Sequence, residues 1–270
     1  MMKLEFKIDC KTTIKEFIYK KISRNFYGYL KEHSAVYNVD GTIKKAYEEI
    51  LEGQNLTIIF QEEKKDNCLY SEKVLDILFE DDNYIVVDKP PFLQTIPSKG
   101  NPYDSVYNRL LYYFKNTTNT IHIINRLDKD TKGLVLVAKS NYARAILKDY
   151  TKVYIAITNK KLKEDIGIIS LPIKRKDNTT LRMVSHDGQK AITCYELIKT
   201  ENDLYEYKID LKTGRTHQIR VHFAYLGSSL INDMLYNGII TGDKTLGLVC
   251  KEISFINPIT LKKIKISSKY

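Results

Sequence analysis

Ile14, Phe17, Ile18 and Ile22 recur at helical spacing while Lys15, Lys20, Lys21 and Arg24 occupy the other faces, which predicts a basic amphipathic helix. A second helix carrying Lys31 is expected after Ser23-Arg24, then the segment Ala35 to Gly41, the turn Leu51-Glu52-Gly53 and a strand over Leu56 to Phe60. The polar run Gln61 to Asn67 reads as a linker, so residues 1–62 are expected to form a small α+β unit and residues 72–270 a larger one. In the larger unit Ile77 to Glu80 and Tyr84 to Asp88 flank Asp81-Asp82-Asn83, a hairpin pattern that Lys89-Pro90-Pro91 closes. Val106, Leu110, Leu111 and Phe114 predict a helix begun by Asp104 or Ser105, and Ala143, Ile146, Leu147 and Tyr150 one begun by Ser140. Strands are expected at 153–158, 192–199 and 205–212. Strands in hairpin order with a few inserted helices give an α+β class: a mixed, mainly antiparallel sheet with flanking helices.

Composition narrows the partners. The 270 residues are 43% hydrophobic, enough for a real core, and carry a formal charge of +10, which suits a polyanion such as nucleic acid. Twenty tyrosines among those cations can stack on unpaired bases. Cys10, Cys68, Cys194 and Cys250 show neither a C-x-x-C pair nor a histidine at ligand spacing, which argues against zinc and predicts free thiols in a reducing compartment. No apolar run approaches the roughly 18 residues of a membrane span and the N-terminus lacks a continuous apolar segment, so a cytoplasmic protein is expected.

Two clusters carry candidate chemistry. In His122 to Ala138 an Arg126-Leu127-Asp128 triplet stands directly before an apolar strand, where a carboxylate is held in position as catalysis requires. In Leu211 to His222, Gly214 marks a turn, Thr216 a candidate helix N-cap, and Ile219, Phe223 and Leu226 a core face. Arg220 then lies at a buried edge and needs an anion. Asp128 is the candidate, a phosphate contact or a surface ion pair the alternative. In the strand around Tyr154, alternation sets Val153, Ile155 and Ile157 on one face and Tyr154, Ala156 and Thr158 on the other. The phenol is expected to point away from the aliphatic face, with Ala156 leaving room for a planar ligand.

These segments resemble the RluA family of pseudouridine synthases: Arg126-Leu127-Asp128 with Thr131 and Gly133, Tyr154 after Lys152, Lys190 to Tyr195, and Gly214 to His222. The resemblance runs from Leu75 to about Thr260 and takes in Val86 to Pro91 and Gly227 to Asp233. Residues 1–62 resemble the S4 RNA-binding domain, with Lys20, Lys21, Arg24 and Lys31 as its RNA contacts. The resemblance implies conversion of uridine in ribosomal or transfer RNA to pseudouridine, by a cytoplasmic monomer using no metal or cofactor. Asp128 would be the nucleophile, and an adjacent Arg220 would favour its charged form. Arg126 would fill the space of the extruded base. Tyr154 would stack on uracil and assist proton removal, and Lys190, Arg215 and His217 would meet substrate. Asn125, Lys132, Ser228, Ser229, Asn232, Val249 and Cys250 depart from the family's usual residues, as does the C-terminal stretch 264–270. A catalytically silent RNA-binding or ribosome-assembly factor on the same scaffold is the alternative. A glycosidase fits less well, because Asp130 is too near Asp128 in sequence to serve as its second acid.

Overall fold

The structure, a computed structural model, describes residues 1–62, 69–118 and 120–270; most of the expected linker, and Cys68, lie outside them. The chain begins with β1 (Met2–Lys7), β2 (Thr12–Thr13), α1 (Ile14–Lys21), α2 (Arg24–Glu32), β3 (Val36–Val39), β4 (Thr42–Lys44), β5 (Glu49–Ile50) and β6 (Asn55–Phe60). Thr13 and Ser23 cap the two helices by accepting from Glu16 N and Phe26 N. Strands β1-β6-β3-β4 form an antiparallel sheet. On β6 the alternate residues Leu56, Ile58 and Phe60 are buried, and they share a core with Ile14, Phe17, Ile18, Phe26 and Leu30 of the helices.

The rest of the chain comprises β7 (Asp76–Glu80), β8 (Tyr84–Lys89), α3 (Val106–Tyr113), β9 (His122–Ile123), β10 (Lys132–Ala138), α4 (Asn141–Ile146), β11 (Tyr150–Thr158), β12 (Ile166–Ser170), β13 (Ile173–Arg175), β14 (Arg182–Val184), β15 (Ile192–Glu201), β16 (Leu204–Leu211), α5 (Gln218–Tyr225), β17 (Leu248–Ile256) and β18 (Lys263–Ser267). A single large sheet runs β12-β15-β16-β11-β17-β10-β8-β7, with β18 on β17 and β9 on β10. Every pairing in it is antiparallel except β10 with β17. The class is therefore α+β with a mainly antiparallel sheet. Strand β8 is buried along its whole length and β10 from Gly133 onward, so both are covered on their two faces and form the centre of the larger core.

Three local expectations are corrected. The helix capped by Ser140 ends at Ile146, and Tyr150 instead opens β11, paired with Phe255. Leu226 is 44% exposed rather than core-facing. On β11 the row Tyr154, Ala156 and Thr158 is the more buried one, and Ala156 belongs to the core instead of flanking a ligand space.

Tyr142 of α4 meets the N-terminal unit, its ring centroid 5.8 Å from that of Phe26 and 6.5 Å from that of Phe6. Beside it Glu62 accepts from Asn141 N (2.6 Å) and Thr120 Oγ1 (2.5 Å). Burial pushes this carboxyl above its ordinary value, against those hydrogen bonds. No helix among the described residues is long and apolar enough to cross a membrane.

Candidate active site

Asp128 lies in the loop between β9 and β10, and the neighbours of this loop leave it little freedom. Asn125 imitates a strand residue: its Oδ1 accepts from Leu136 N (2.8 Å) and its Nδ2 donates to Leu134 O (3.1 Å). Thr95 Oγ1 takes both backbone groups of Leu127, accepting from its N (3.0 Å) and donating to its O (2.8 Å). From behind, the fully buried Lys89 donates to the carbonyls of Leu93 (2.7 Å), Pro90 (3.0 Å) and Lys129 (3.1 Å). Burial draws the Lys89 ammonium down to about 7, against the pull of Asp130 and Asp128. At the start of β10, Gly133 has φ 109°, and a Cβ there would stand 2.4 Å from the Cys250 carbonyl oxygen. Only glycine allows that approach to β17.

The second cluster is built around the buried Gln218. Its Oε1 accepts from Arg215 N and Thr213 Oγ1 (both 2.9 Å), and its Nε2 donates to Ile192 O and Thr193 Oγ1 (both 3.0 Å). One turn later His222 bonds Thr193 Oγ1 and Leu171 O, each at 2.9 Å, so α5 is fastened to β15 by two polar side chains. The helix N-cap is His217 rather than Thr216; it sits at φ 56° with no side-chain capping bond.

Arg220 is 2% exposed and its main partner is not Asp128. Its Nε and Nη2 grip the two oxygens of the fully buried Asp233 at 2.8 and 2.7 Å, a bidentate pair. The third nitrogen, Nη1, reaches toward Asp128 Oδ2 at 3.8 Å. Burial opposes the charge on Arg220, but Asp233, Asp128 and Asp130 more than offset it and hold the guanidinium above its ordinary value. Tyr236 covers this group, with its ring centre 5.3 Å from the guanidinium carbon.

His217 approaches Asp128 from another side, its Nε2 3.8 Å from Oδ2. Tyr236 OH accepts from Arg182 N (2.9 Å) and shares a hydrogen bond with His217 Nδ1 (2.9 Å), which fixes the imidazole ring with Nε2 toward the carboxylate. Burial, with Arg220 and Arg182, lowers the imidazole below its ordinary value, while Asp128 pulls the other way. These groups open onto a cleft of about 570 Å³ whose walls include Arg126, Asp128, Thr131, Tyr154, Arg215 and His217. Tyr154 is 5% exposed; burial and the Cys250 thiol push its phenol well above the ordinary value, so the ring is presented protonated.

Residues 83–225 match the family model described as RNA pseudouridylate synthase. The uncharacterized RNA pseudouridine synthase YjbO of Bacillus subtilis is 36% identical over 224 residues, which is 79% of each chain. The chain belongs to the RNA pseudouridylate synthase family. The ribosomal large subunit pseudouridine synthase D of Xanthomonas campestris is 30% identical over 253 residues, covering 85% of this synthase and 76% of the relative. The fold agrees with that of human RNA pseudouridylate synthase domain containing 1: TM-score 0.60 at 19% identity, over 74% of this chain and 85% of that one.

Of the residues singled out from the synthase sequence, Asp128, Arg126, Tyr154, Arg215, His217 and Arg220 converge on the one cleft. Lys190 does not line it; its side chain is exposed and only its carbonyl takes part, accepting from Arg215 Nε at 3.1 Å. Lys20, Lys21 and Arg24 lie where α1 meets α2, with Lys21 paired to Asp9 at 2.8 Å and Arg24 over the Tyr19 ring at 5.6 Å. Lys31 is at the other end of α2, about 10 Å along the helix axis. The sequence reading missed Asp233, Tyr236, Thr95 and Gln218. Asp233 had a signal, as the acid closing the Gly227 to Asp233 segment.

Proposed function

We propose that the chain isomerises particular uridines of a structured RNA to pseudouridine with Asp128 as the nucleophile, as the RluA subfamily does. The observation that carries this reading is the convergence on Asp128: a guanidinium nitrogen and the imidazole Nε2 each 3.8 Å from its Oδ2, at the wall of a cleft that also holds the Tyr154 ring. Both groups face the carboxylate without bonding its oxygens closely, so lone pairs remain for attack on the nucleoside. Such an attack requires the uridine to leave its stack. Arg126, exposed at the cleft, supplies a cation for the vacated space, and Tyr154 supplies a face for the uracil. Because burial keeps that phenol protonated, Tyr154 can assist proton removal only by relay through its hydroxyl. Arg215 and His217 frame the substrate. The reaction is an internal transfer with no net redox change, so its chemistry calls for neither metal nor cofactor.

Residues 1–62 are assigned to an S4-like RNA-binding domain and 72–270 to the catalytic domain. The first has its own sheet and core, and a basic helical layer in which Lys20, Lys21, Arg24 and Lys31 contact phosphates. Kinship with synthases named for the ribosomal large subunit supports ribosomal RNA over transfer RNA as substrate. We assign the protein to the cytoplasm, as a monomer. The test is chemical mapping of pseudouridine in total RNA from cells that carry the wild-type gene, no gene, or Asp128→Asn. One or more sites should vanish in the last two, while purified Asp128→Asn still binds the RNA. An identical map in all three strains would favour a catalytically silent assembly factor instead.

A further inference from the structure

Among the described residues, Lys152 has no carboxylate paired with it. It stands between Tyr150 and Tyr154 on the row of β11 that faces the cleft, and all three side chains line it. Its ammonium lies 5.6 Å from the centre of the Tyr150 ring and 5.9 Å from that of Tyr154. Among the described residues no carboxylate or carbonyl takes a hydrogen bond from it; its neighbours are these two ring faces and the Cys250 thiol. Other sequestered lysines are treated differently. Lys89 reaches three carbonyls, and Lys139 pairs with Glu80 at 2.8 Å and with the Asp81 carbonyl at 2.7 Å. Burial lowers the affinity of Lys152 for its proton, with only Cys250, the thiol on β17, opposing. A desolvated cation without an acceptor is costly unless a ligand brings one.

We propose that Lys152 is a catalytic residue that binds the uracil carbonyl oxygen on which negative charge collects while the glycosidic bond is broken. The inference rests on the pseudouridine synthase reading and adds a role to it. When C1′–N1 breaks, its electron pair stays with the uracil and is shared by N1 and the two carbonyl oxygens. As N1 departs, the Asp128 carboxylate bonds C1′ in its place. After the ring turns, an electron pair of the uracil anion forms C1′–C5 and the O–C1′ bond breaks to return the carboxylate. The C5 proton then leaves and N1 gains a proton, so the product is an isomer of the substrate. Between those events the detached base is an anion lying on the Tyr154 ring, beside the ammonium. Lys152 keeps its own proton throughout and acts by charge and hydrogen bond, in the manner of an oxyanion donor. A lysine suits the task better than an arginine: a point charge on a flexible stem can follow a rotating ring, whereas a planar fork cannot.

The test uses the full-length chain and total RNA from cells lacking the gene, labelled with [5-³H]uridine, since loss of the C5 proton releases tritium to water. Lys152→Met should lower kcat by about 10²- to 10³-fold. KM should stay within about twofold, because charge that develops during reaction is not yet present in the bound substrate. The melting temperature should equal or exceed that of wild type, because an apolar side chain replaces an uncompensated charge. Lys152→Arg should restore part of kcat. A loss confined to KM, with the slope of log affinity against log salt shallower by about one, would mean a phosphate contact and overturn the proposal. So would an unchanged kcat, or a fall in melting temperature that accounts for the lost activity. Wild-type protein that releases no tritium from this RNA would overturn the synthase reading itself, and the role of Lys152 with it.

Discussion

Replacing Asp233 by asparagine tests the electrostatic centre of the site. Asp233 is fully buried, Arg220 is 2% exposed, and two charge-assisted hydrogen bonds of 2.7 and 2.8 Å join them. Removing one partner leaves a guanidinium out of water with its best acceptor gone, which costs about 3–5 kcal/mol. Arg220→Met should cost a similar amount through Asp233. The double replacement Arg220→Met with Asp233→Leu leaves no orphan charge and should recover most of the loss; against the singles Arg220→Met and Asp233→Leu it should give a coupling energy of about 2 kcal/mol or more. The chain has no tryptophan, so urea unfolding is best followed by far-ultraviolet circular dichroism. Activity should behave differently from stability. In Asp233→Asn the nearest remaining carboxylate to the guanidinium among the described residues is Asp128, at 3.8 Å, and direct pairing would occupy the oxygens that the proposed attack uses. The double variant should therefore be stable yet inactive. Single replacements that cost less than about 1 kcal/mol, or a double that costs their sum, would refute the account of this pair.

Gly133→Ala places a Cβ against the Cys250 carbonyl at a φ of 109° and should destabilise the protein by about 2–4 kcal/mol, read as a lowered melting temperature. Lys20→Ala with Arg24→Ala should make the slope of log RNA affinity against log salt shallower by about 1.5, measured by filter binding; an unchanged slope argues against a phosphate-binding helical layer. Lys89 gives a pH signature. Below about 7 it is charged in folded and unfolded chains alike; from there to its ordinary value of 10.5 the unfolded chain holds the extra proton. The stability it contributes should thus rise with pH, by at most about 1.4 kcal/mol per unit, and the gap between wild type and Lys89→Met should shift in favour of wild type between pH 7 and 9.

What could be read from the sequence was mostly local. Helices α1 and α3 and the β7–β8 hairpin follow from apolar spacing, a capping hydroxyl and the Asp81-Asp82-Asn83 turn, all settled within a few residues of chain. The helix begun by Ser140 was read too long because Tyr150 fits a helical period, yet its pairing with Phe255 across β11 and β17 is a long-range choice. Thr216 looked like an N-cap, but Gln218 satisfies Arg215 N and the His217 ring is drawn to Tyr236. That Arg220 needs an acid was legible from its place beside a core face; which acid was not. Asp233 and Asp128 both end up near it, and only the packing of the 227–238 segment against α5 puts Asp233 at bonding distance and Asp128 at 3.8 Å.

One geometric consequence follows from β10. The acid-bearing loop precedes its first residue, and α4, with the Tyr142 ring that meets the first sixty residues, follows its last. Six residue steps of extended chain amount to about 20 Å. On the proposed reading, a nucleic acid held by the helical layer near α4 while it delivers a nucleotide to Asp128 spans a length of that order. A short oligonucleotide around the target would touch only one end, so recognition and reaction would become separable by trimming the RNA.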